Sequence, residues 1–162
     1  AVRDAVEYQR LIRNERELRE QLARTNAELD EKVEDLDEAN ELLEYWVEFS
    51  PAVLYSLSCD HGVLHPSYIS KNFYRLTGHE RTAAVIDADF WSRLVESADR
   101  TRYRETLAAL VASDHTHAVL EYRIRHRDGN EVVVLDSMRA VRDGDGNTIE
   151  IVGAWIDVSA RR

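Results

Sequence analysis

Leucine recurs at every seventh position in the N-terminal part of the chain, at Leu22, Leu29, Leu36 and Leu43. A second column, three residues further along the same repeat, holds Leu11, Leu18, Thr25, Lys32, Ala39 and Trp46. Sustained heptads are typical of an α-helix that packs along one seam against a partner helix. Residues 1–50 contain no glycine and no proline that would interrupt it. The pattern therefore predicts a coiled-coil helix over residues 1–48.

This helix needs a partner because its apolar seam would otherwise stay in water. We expect a homodimer in the form of a parallel two-stranded coil. The residues predicted to form the dimer seam are Leu11, Leu18, Leu22, Leu29, Leu36, Leu43 and Trp46. The alternative is a helix that folds back onto its own domain. Thr25 and Lys32 are poor residues for inner positions, so we expect a coil of modest stability.

After Pro51 the helical period gives way to the alternating pattern of strands. The predicted strands are residues 52–58, 63–70 (bent at Pro66), 117–126, 131–141 and 148–158. The predicted helices are residues 71–78 (closed by Gly78), 88–94 and 97–113 (with Ser97 as its N-cap). Asp-Gly turns separate the last three strands and favour hairpins between them. This order predicts an α+β domain in which one antiparallel sheet carries helices on one face.

Five short stretches of this region occur in a fixed order. They are S-x-N-x-x-x-L-T-G at Ser70–Gly78, A-D-R at Ala98–Arg100, L-E-Y-R-I-R-x-R-D-G at Leu120–Gly129, V-R-D-G-D-G at Val141–Gly146, and I-V-G-A-W-I-D-V-S at Ile151–Ser159. In order and spacing they resemble the PAS (Per-Arnt-Sim) sensor domain. The resemblance implies a five-stranded antiparallel sheet with helices on one face, in a domain over residues 49–160.

The resemblance also implies a function. PAS domains are sensory or signal-relay modules of multidomain bacterial-type signalling proteins, such as histidine kinases of two-component systems and diguanylate cyclases. We therefore expect a covalently linked output domain of one of these classes, with residues 161–162 beginning the linker to it. The alternative is a dimerisation and spacer module without a ligand. No catalytic constellation stands out along the chain, so we expect no enzyme activity in this segment.

By resemblance, one face of the sheet and the helices that cover it line an internal pocket. The predicted lining is Tyr55, Phe73, Trp91, Tyr122, Ile124, Val134, Asp136, Met138 and Trp155. Asp136 is the unusual member, because a carboxylate on the inner face must be paired or hydrogen-bonded. Tyr122, Tyr55 or a small polar ligand could satisfy it. Two alternatives remain, an interior filled by the aromatic rings and a position of Asp136 at the sheet edge in water.

The sequence carries no flavin or haem signature, and any ligand is an unidentified small molecule. Flavin-binding relatives need a cysteine near Phe90 and Trp91, whereas the single cysteine, Cys59, lies in the first turn. Haem-binding relatives usually take an iron ligand from the long helix, and residues 99–113 contain no histidine. Two histidine pairs, at positions 61 and 65 and at positions 115 and 117, are better explained as surface residues, so we predict no metal site.

In the family, a closing Asp-x-Thr/Ser triplet lies where the last strand passes into an output helix. Asp157 and Ser159 match it, and the resemblance makes them the signal junction. We expect Asp157 to make a charge-assisted bond to a cation on a neighbouring strand. Arg123 and Arg139 are the candidate partners, and the alternative is a plain surface aspartate.

Charge and composition exclude some classes of function. A net charge of −10 argues against nucleic acid binding, and no apolar run is long enough for a membrane helix, so we expect no membrane contact. The acidity is concentrated from Thr25 to Glu48, on the predicted helix. A lone cysteine suits a reducing compartment, and we expect a cytoplasmic protein.

Overall fold

The computed structural model of the protein describes residues 1–87 and 89–161. The chain divides into two compact units, Ala1–Glu44 and Tyr45–Arg162. The predicted N-terminal helix is confirmed as α1, a single α-helix from Val2 to Phe49. Every residue of the predicted dimer seam, from Leu11 to Trp46, is more than half exposed in the single chain. The seam of the heptads is therefore an apolar surface in this chain.

The second unit contains an antiparallel sheet of five strands, as predicted. Its strands are β1 (Ala52–Asp60), β2 (Val63–Ile69), β3 (His117–Arg125), β4 (Glu131–Arg142) and β5 (Thr148–Asp157). Their order across the sheet is β2-β1-β5-β4-β3. The pairing of β1 with β2 shifts register beside Pro66, the residue where the sequence predicts a bend. Proline has no N–H to donate to the ladder, and a bulge accommodates it.

The helices that follow β2 are short except for the last. They are α2 (Phe73–Thr77), α3 (Arg81–Ile86), α4 (Phe90–Leu94) and α5 (Arg100–Ala112), and a 3-10 helix follows β5 at Ser159–Arg161. Gly78 closes α2 in the left-handed region, with φ 73°, as predicted. The prediction of Ser97 as N-cap is wrong, because Asp99 occupies that position of α5. α3 was not predicted, since six residues are too few for a clear helical period.

The sequence predicts that residues 161–162 begin a linker. Arg161 is the last residue of the 3-10 helix, and Arg162 lies outside the described residues.

The core lies between the inner face of the sheet and the helices. Along β4 the side chains alternate, with Val134, Asp136 and Met138 buried and Ser137 and Arg139 exposed. This is the period of a strand that has one face on a core and the other face in water. From α5, the buried residues are Tyr103 and Leu110.

The last turn of α5 is held by Arg142 from the end of β4. One guanidinium nitrogen, Nη2, donates to the carbonyls of Leu110 at 3.1 Å and His115 at 2.9 Å, and also to that of Ser113. Thr148 Oγ1 donates to the carbonyl of Val111 at 3.2 Å. Because the last carbonyls of a helix have no partner within the helix, these donors stabilise the end of α5 against the sheet.

Candidate functional site

Asp136 lies at the centre of the core, with no exposed surface. The hydroxyl of Tyr122 donates to its Oδ2 at 2.8 Å, and the hydroxyl of Tyr55 lies 2.9 Å from both Oδ1 and Oδ2. The three residues come from β4, β3 and β1. Desolvation by burial raises the pKa of Asp136 to about 6, although the donors that face it, Tyr122, Trp155 and Tyr55, favour the ionised form and oppose the shift. The carboxyl group therefore titrates near neutral pH inside the protein.

The rings of Tyr55 and Tyr122, which bind this carboxyl group, belong to a cluster of packed aromatic rings. Trp155 lies 4.9 Å from Trp91, 5.6 Å from Tyr55, 6.2 Å from Phe73 and 6.4 Å from Tyr122, as ring centroids. Burial raises the pKa of Tyr55 and of Tyr122 well above the ordinary value, and the charge of Asp136 adds to the shift. Both tyrosines therefore stay protonated and act as hydrogen-bond donors.

The structure brings all nine predicted lining residues into one buried cluster. Their exposures run from 0% for Asp136 to 5% for Trp91. Of the alternatives for Asp136, the position at the sheet edge in water is wrong, and pairing with both tyrosines is what the geometry shows. Strand parity was sufficient to place the six lining residues of β3, β4 and β5 inside, because successive side chains of a strand point to opposite faces.

Gly153 makes room for Tyr55. The two residues face each other across β1 and β5. A Cβ at Gly153 would lie 2.2 Å from Cζ and 2.4 Å from the hydroxyl oxygen of Tyr55. The ring of Tyr55 therefore crosses β5 directly above this glycine to reach Asp136 on the next strand. No sequence signal marks this requirement, since the backbone of Gly153 is ordinary extended strand.

The predicted signal junction is tied to the neighbouring strand. Oδ1 of Asp157 accepts the N–H of Ser159 at 2.9 Å, which turns the chain out of β5 into the 3-10 helix. The hydroxyl of Ser159 accepts the N–H of Val133 at 2.9 Å, and the N–H of Val158 donates to the carbonyl of Val133 at 2.9 Å. Asp157 and Ser159 thus act together to fix where the last strand ends.

The predicted partner of Asp157 is not Arg123. The guanidinium of Arg123 binds Asp99 at the start of α5, with Nε 2.9 Å from Oδ2. The backbone N–H of Arg123 donates to the same carboxylate oxygen at 2.9 Å. The hydrogen bond from Arg123 lowers the pKa of Asp99. Arg139 lies exposed on the outer face, whereas Asp157 shares the inner-face parity of Trp155. Among the described side chains, Asp157 makes no ion pair.

Ser70 and Asn72 form a second polar cluster whose role was not predicted. The hydroxyl of Ser70 accepts the N–H of Leu54 at 2.9 Å, and the side-chain oxygen of Asn72 accepts a short hydrogen bond from that hydroxyl. The amide nitrogen of Asn72 donates to the carbonyls of Ser50 at 3.0 Å and Ala52 at 2.7 Å. The S-x-N stretch marked these residues, but only the fold shows that they hold the junction between α1 and β1.

Histidine and cysteine form no cluster of chemical interest in the part of the chain described. No group of three or more His, Cys, Asp or Glu side chains there could hold a metal ion. His117 contacts the hydroxyl of Ser137 at 3.1 Å on the exposed face. Cys59 is a free, half-buried thiol.

The fold and these motifs identify the family. A family model described as the PAS fold matches residues 66–155, more than half of the chain. The chain therefore belongs to the PAS family, and PAS domains are in general sensory modules without catalytic activity. The comparison with curated proteins finds no match. No helix of the described residues has the length and apolar character needed to cross a membrane.

Several solved structures share the fold. One is the PAS domain of an HTR-like protein from Haloarcula marismortui, with 17% identity and a TM-score of 0.61 over 80% of this chain and 99% of that one. The N-terminal domain of a diguanylate cyclase with a PAS/PAC sensor from Marinobacter aquaeolei has 22% identity and a TM-score of 0.58, covering 68% and 97%. A sensory box histidine kinase/response regulator from Burkholderia thailandensis has 24% identity and a TM-score of 0.54, covering 74% and 86%. At these identities the likeness shows the fold alone.

Proposed function

We propose that the chain is the sensory and relay module of a larger signalling protein, in which it dimerises through α1 and passes a signal through Asp157 and Ser159 to a linked output domain. A histidine kinase or a diguanylate cyclase is the proposed class of output, and any catalysis belongs to it. The observation that carries this proposal is the exposed seam of α1, which leads directly into the first strand of a PAS domain.

The seam supports a dimer on energetic grounds. Leu22, Leu29, Leu36 and Leu43 each expose more than half of their surface, and complete burial of a leucine side chain is worth about 1.5–3 kcal/mol. Thr25 and Lys32 interrupt the inner column, so the free energy of association is smaller than that of an unbroken leucine seam. A coil of modest stability can shift between two packings, which is what a relay requires.

The two ends of the sensor domain are attached to the same core. Asn72 binds the carbonyls where α1 passes into β1, and its neighbour Phe73 contacts Trp155 on β5. Asp157 lies two residues beyond Trp155, at the end of β5. A change in the core can therefore reach the entering helix through Asn72 and the leaving segment through Asp157. This continuity supports the role of a relay.

The second candidate function is a dimerisation and spacer module that binds no ligand. The close contacts among Tyr55, Phe73, Trp91, Tyr122 and Trp155 favour it, because the rings occupy the space that a small molecule would need. In this case the signal comes from elsewhere in the larger protein, and the core acts as a rigid connection. In the first candidate function, the same residues are the ligand pocket.

Native mass spectrometry of the chain separates these candidates, because it measures the oligomer and any bound mass together. We expect a dimer. A bound mass that is released on denaturation would identify a ligand sensor, and a dimer of the bare chain would support the ligand-free relay. A monomer at micromolar concentration would contradict the proposed function.

Disulfide cross-linking tests the geometry of the coil. In a Cys59→Ser background, Leu29→Cys places a thiol at an inner position, where two copies of a parallel coil come within disulfide distance. Glu34→Cys is the matched control, because residue 34 lies on the opposite side of the heptad. We expect rapid cross-linking of the first variant and little of the second. Equal rates for the two variants would contradict the predicted seam.

A further inference from the structure

The hydroxyl of Tyr55 lies within hydrogen-bond distance of more oxygens of Asp136 than its single proton can serve with separate bonds. The hydroxyl of Tyr55 lies 2.9 Å from both carboxylate oxygens, yet it has a single proton to donate. If the carboxyl group itself carries a proton, it can donate to the oxygen of Tyr55 while Tyr55 donates to the other carboxyl oxygen. The equal distances fit both states of Asp136, a carboxylate that shares the single proton of Tyr55 and a neutral carboxyl group that exchanges hydrogen bonds with Tyr55.

A donor without a partner lies on the residue opposite Asp136. Trp155 is its register partner on β5 and has no exposed surface. Within the described residues, the indole Nε1 of Trp155 is a buried donor that reaches full hydrogen-bond geometry with no acceptor, although it lies near enough to Asp136 to lower the pKa of that carboxyl group. Leaving such a donor unpaired costs free energy. An ionised Asp136 is a stronger acceptor for this N–H than the neutral carboxyl group, because it carries a full negative charge.

We propose that Asp136 is a proton-binding site through which this domain responds to pH. In the protonated state the carboxyl group exchanges hydrogen bonds with Tyr55, and Trp155 stays unpaired. Loss of the proton to solvent leaves a carboxylate that accepts from Tyr122, from Tyr55 and from the indole N–H of Trp155. No bond other than the O–H bond breaks. This inference rests on the proposed sensory function and names its signal as the proton.

The groups around Asp136 favour a response near neutral pH. The titratable side chains that face it are Tyr55 from β1, Tyr122 from β3 and Tyr103 from α5, and burial raises the pKa of each. The remaining aromatic residues of this cluster, Trp155, Phe73 and Trp91, have side chains that do not titrate. No ion pair in the described part of the chain includes Asp136. With its pKa near 6, its ionised fraction rises from about one tenth at pH 5 to about nine tenths at pH 7.

The proton is also the ligand that the packing admits. The rings of Trp155, Trp91 and Tyr55 lie 4.9–5.6 Å apart, and a larger ligand would have to displace them. A shift of Trp155 toward Asp136 moves a side chain on β5, the strand that ends at Asp157. The proton site is therefore connected to the proposed junction along a single strand.

The test is a pH titration of the tryptophan indole N–H signals by nuclear magnetic resonance on the whole chain. We expect the indole proton of Trp155 to move downfield as pH rises, with a midpoint near pH 6. Trp91 is the matched control, because its indole N–H is buried and already donates to the carbonyl of Ala84 at 3.0 Å. Trp46, which is exposed, reports on solvent effects. Asp136→Asn should abolish the shift of Trp155.

A second variant keeps the test decisive if Asp136→Asn does not fold. Tyr122→Phe removes a donor to the carboxylate and should raise the midpoint by about one pH unit. A Trp155 signal that stays flat between pH 5 and 8, or that titrates equally in Asp136→Asn, would overturn the proton site. Dimer formation, measured separately by native mass spectrometry, tests the proposed function. A flat titration with an intact dimer contradicts only the proton site, and a monomer with a titrating Trp155 contradicts only the proposed function.

Discussion

The contact between Gly153 and Tyr55 yields a sharp stability prediction for Gly153→Ala. The backbone at Gly153 is extended, so alanine by itself is tolerated there and would even reduce the entropy of the unfolded chain. The cost comes from the added Cβ, which would lie 2.2 Å from Cζ of Tyr55. Such a distance is far inside van der Waals contact, and the ring has to leave its position.

The magnitude follows from what the displaced ring loses. Forcing extra volume into a packed core costs about 1–3 kcal/mol. Losing the hydrogen bonds between Tyr55 and the buried Asp136 costs about a further 1–3 kcal/mol. We therefore expect Gly153→Ala to lower the free energy of unfolding by about 2–6 kcal/mol. The assay is urea unfolding followed by the fluorescence of the core tryptophans, in a Trp46→Phe background so that the signal reports on the sensor domain.

Two comparisons isolate the cause. Gly144→Ala is the matched control, because a Cβ there meets no atom within 4 Å, and we expect a change of at most about 0.5 kcal/mol. In a Tyr55→Leu background the clashing ring atoms are absent, so Gly153→Ala should cost less than about 1 kcal/mol. An equal cost in both backgrounds, or a cost below about 1 kcal/mol with Tyr55 present, would refute this explanation.

Three further predictions concern the polar contacts. Asn72→Ala removes the donor to the carbonyls at the junction of α1 and β1. We expect the free energy of unfolding to fall by about 2 kcal/mol and amide hydrogen exchange at this junction to become faster. Unchanged exchange would contradict the role of Asn72 in holding this junction. Arg142→Ala leaves the carbonyls at the end of α5 without their donor and should cost about 1–2 kcal/mol by thermal unfolding, whereas Arg139→Ala, exposed on the same strand, should cost nothing measurable. Arg123 lowers the pKa of Asp99, so the stability that Asp99 contributes is complete above about pH 4 and is lost as the pH falls toward the lowered pKa. Urea midpoints measured from pH 6 to pH 2 should therefore fall more steeply for the wild type than for Asp99→Asn. Parallel curves would contradict the pairing of Asp99 with Arg123.

The fold was predictable because its signals are local. Heptads placed α1, the alternation of apolar residues placed the five strands, and the same alternation put Asp136 on the inner face. Short motifs with fixed spacing then led to the PAS family. The helix α3 escaped prediction because its six residues carry too little periodic signal.

The local pattern of residues was enough to predict α1, the five strands and the buried face of β4, since those properties depend on residues a few positions apart. Which side chains meet depends instead on the tertiary structure. Tyr55 and Asp136 are 81 positions apart and lie on strands separated by β5, and only this arrangement makes Gly153 necessary. The partner of Arg123 likewise depends on where α5 begins relative to β3, so a plausible neighbour on the sheet, Asp157, was the wrong choice. Contacts of this kind follow from strand order and register, which are set by the packing of the whole domain.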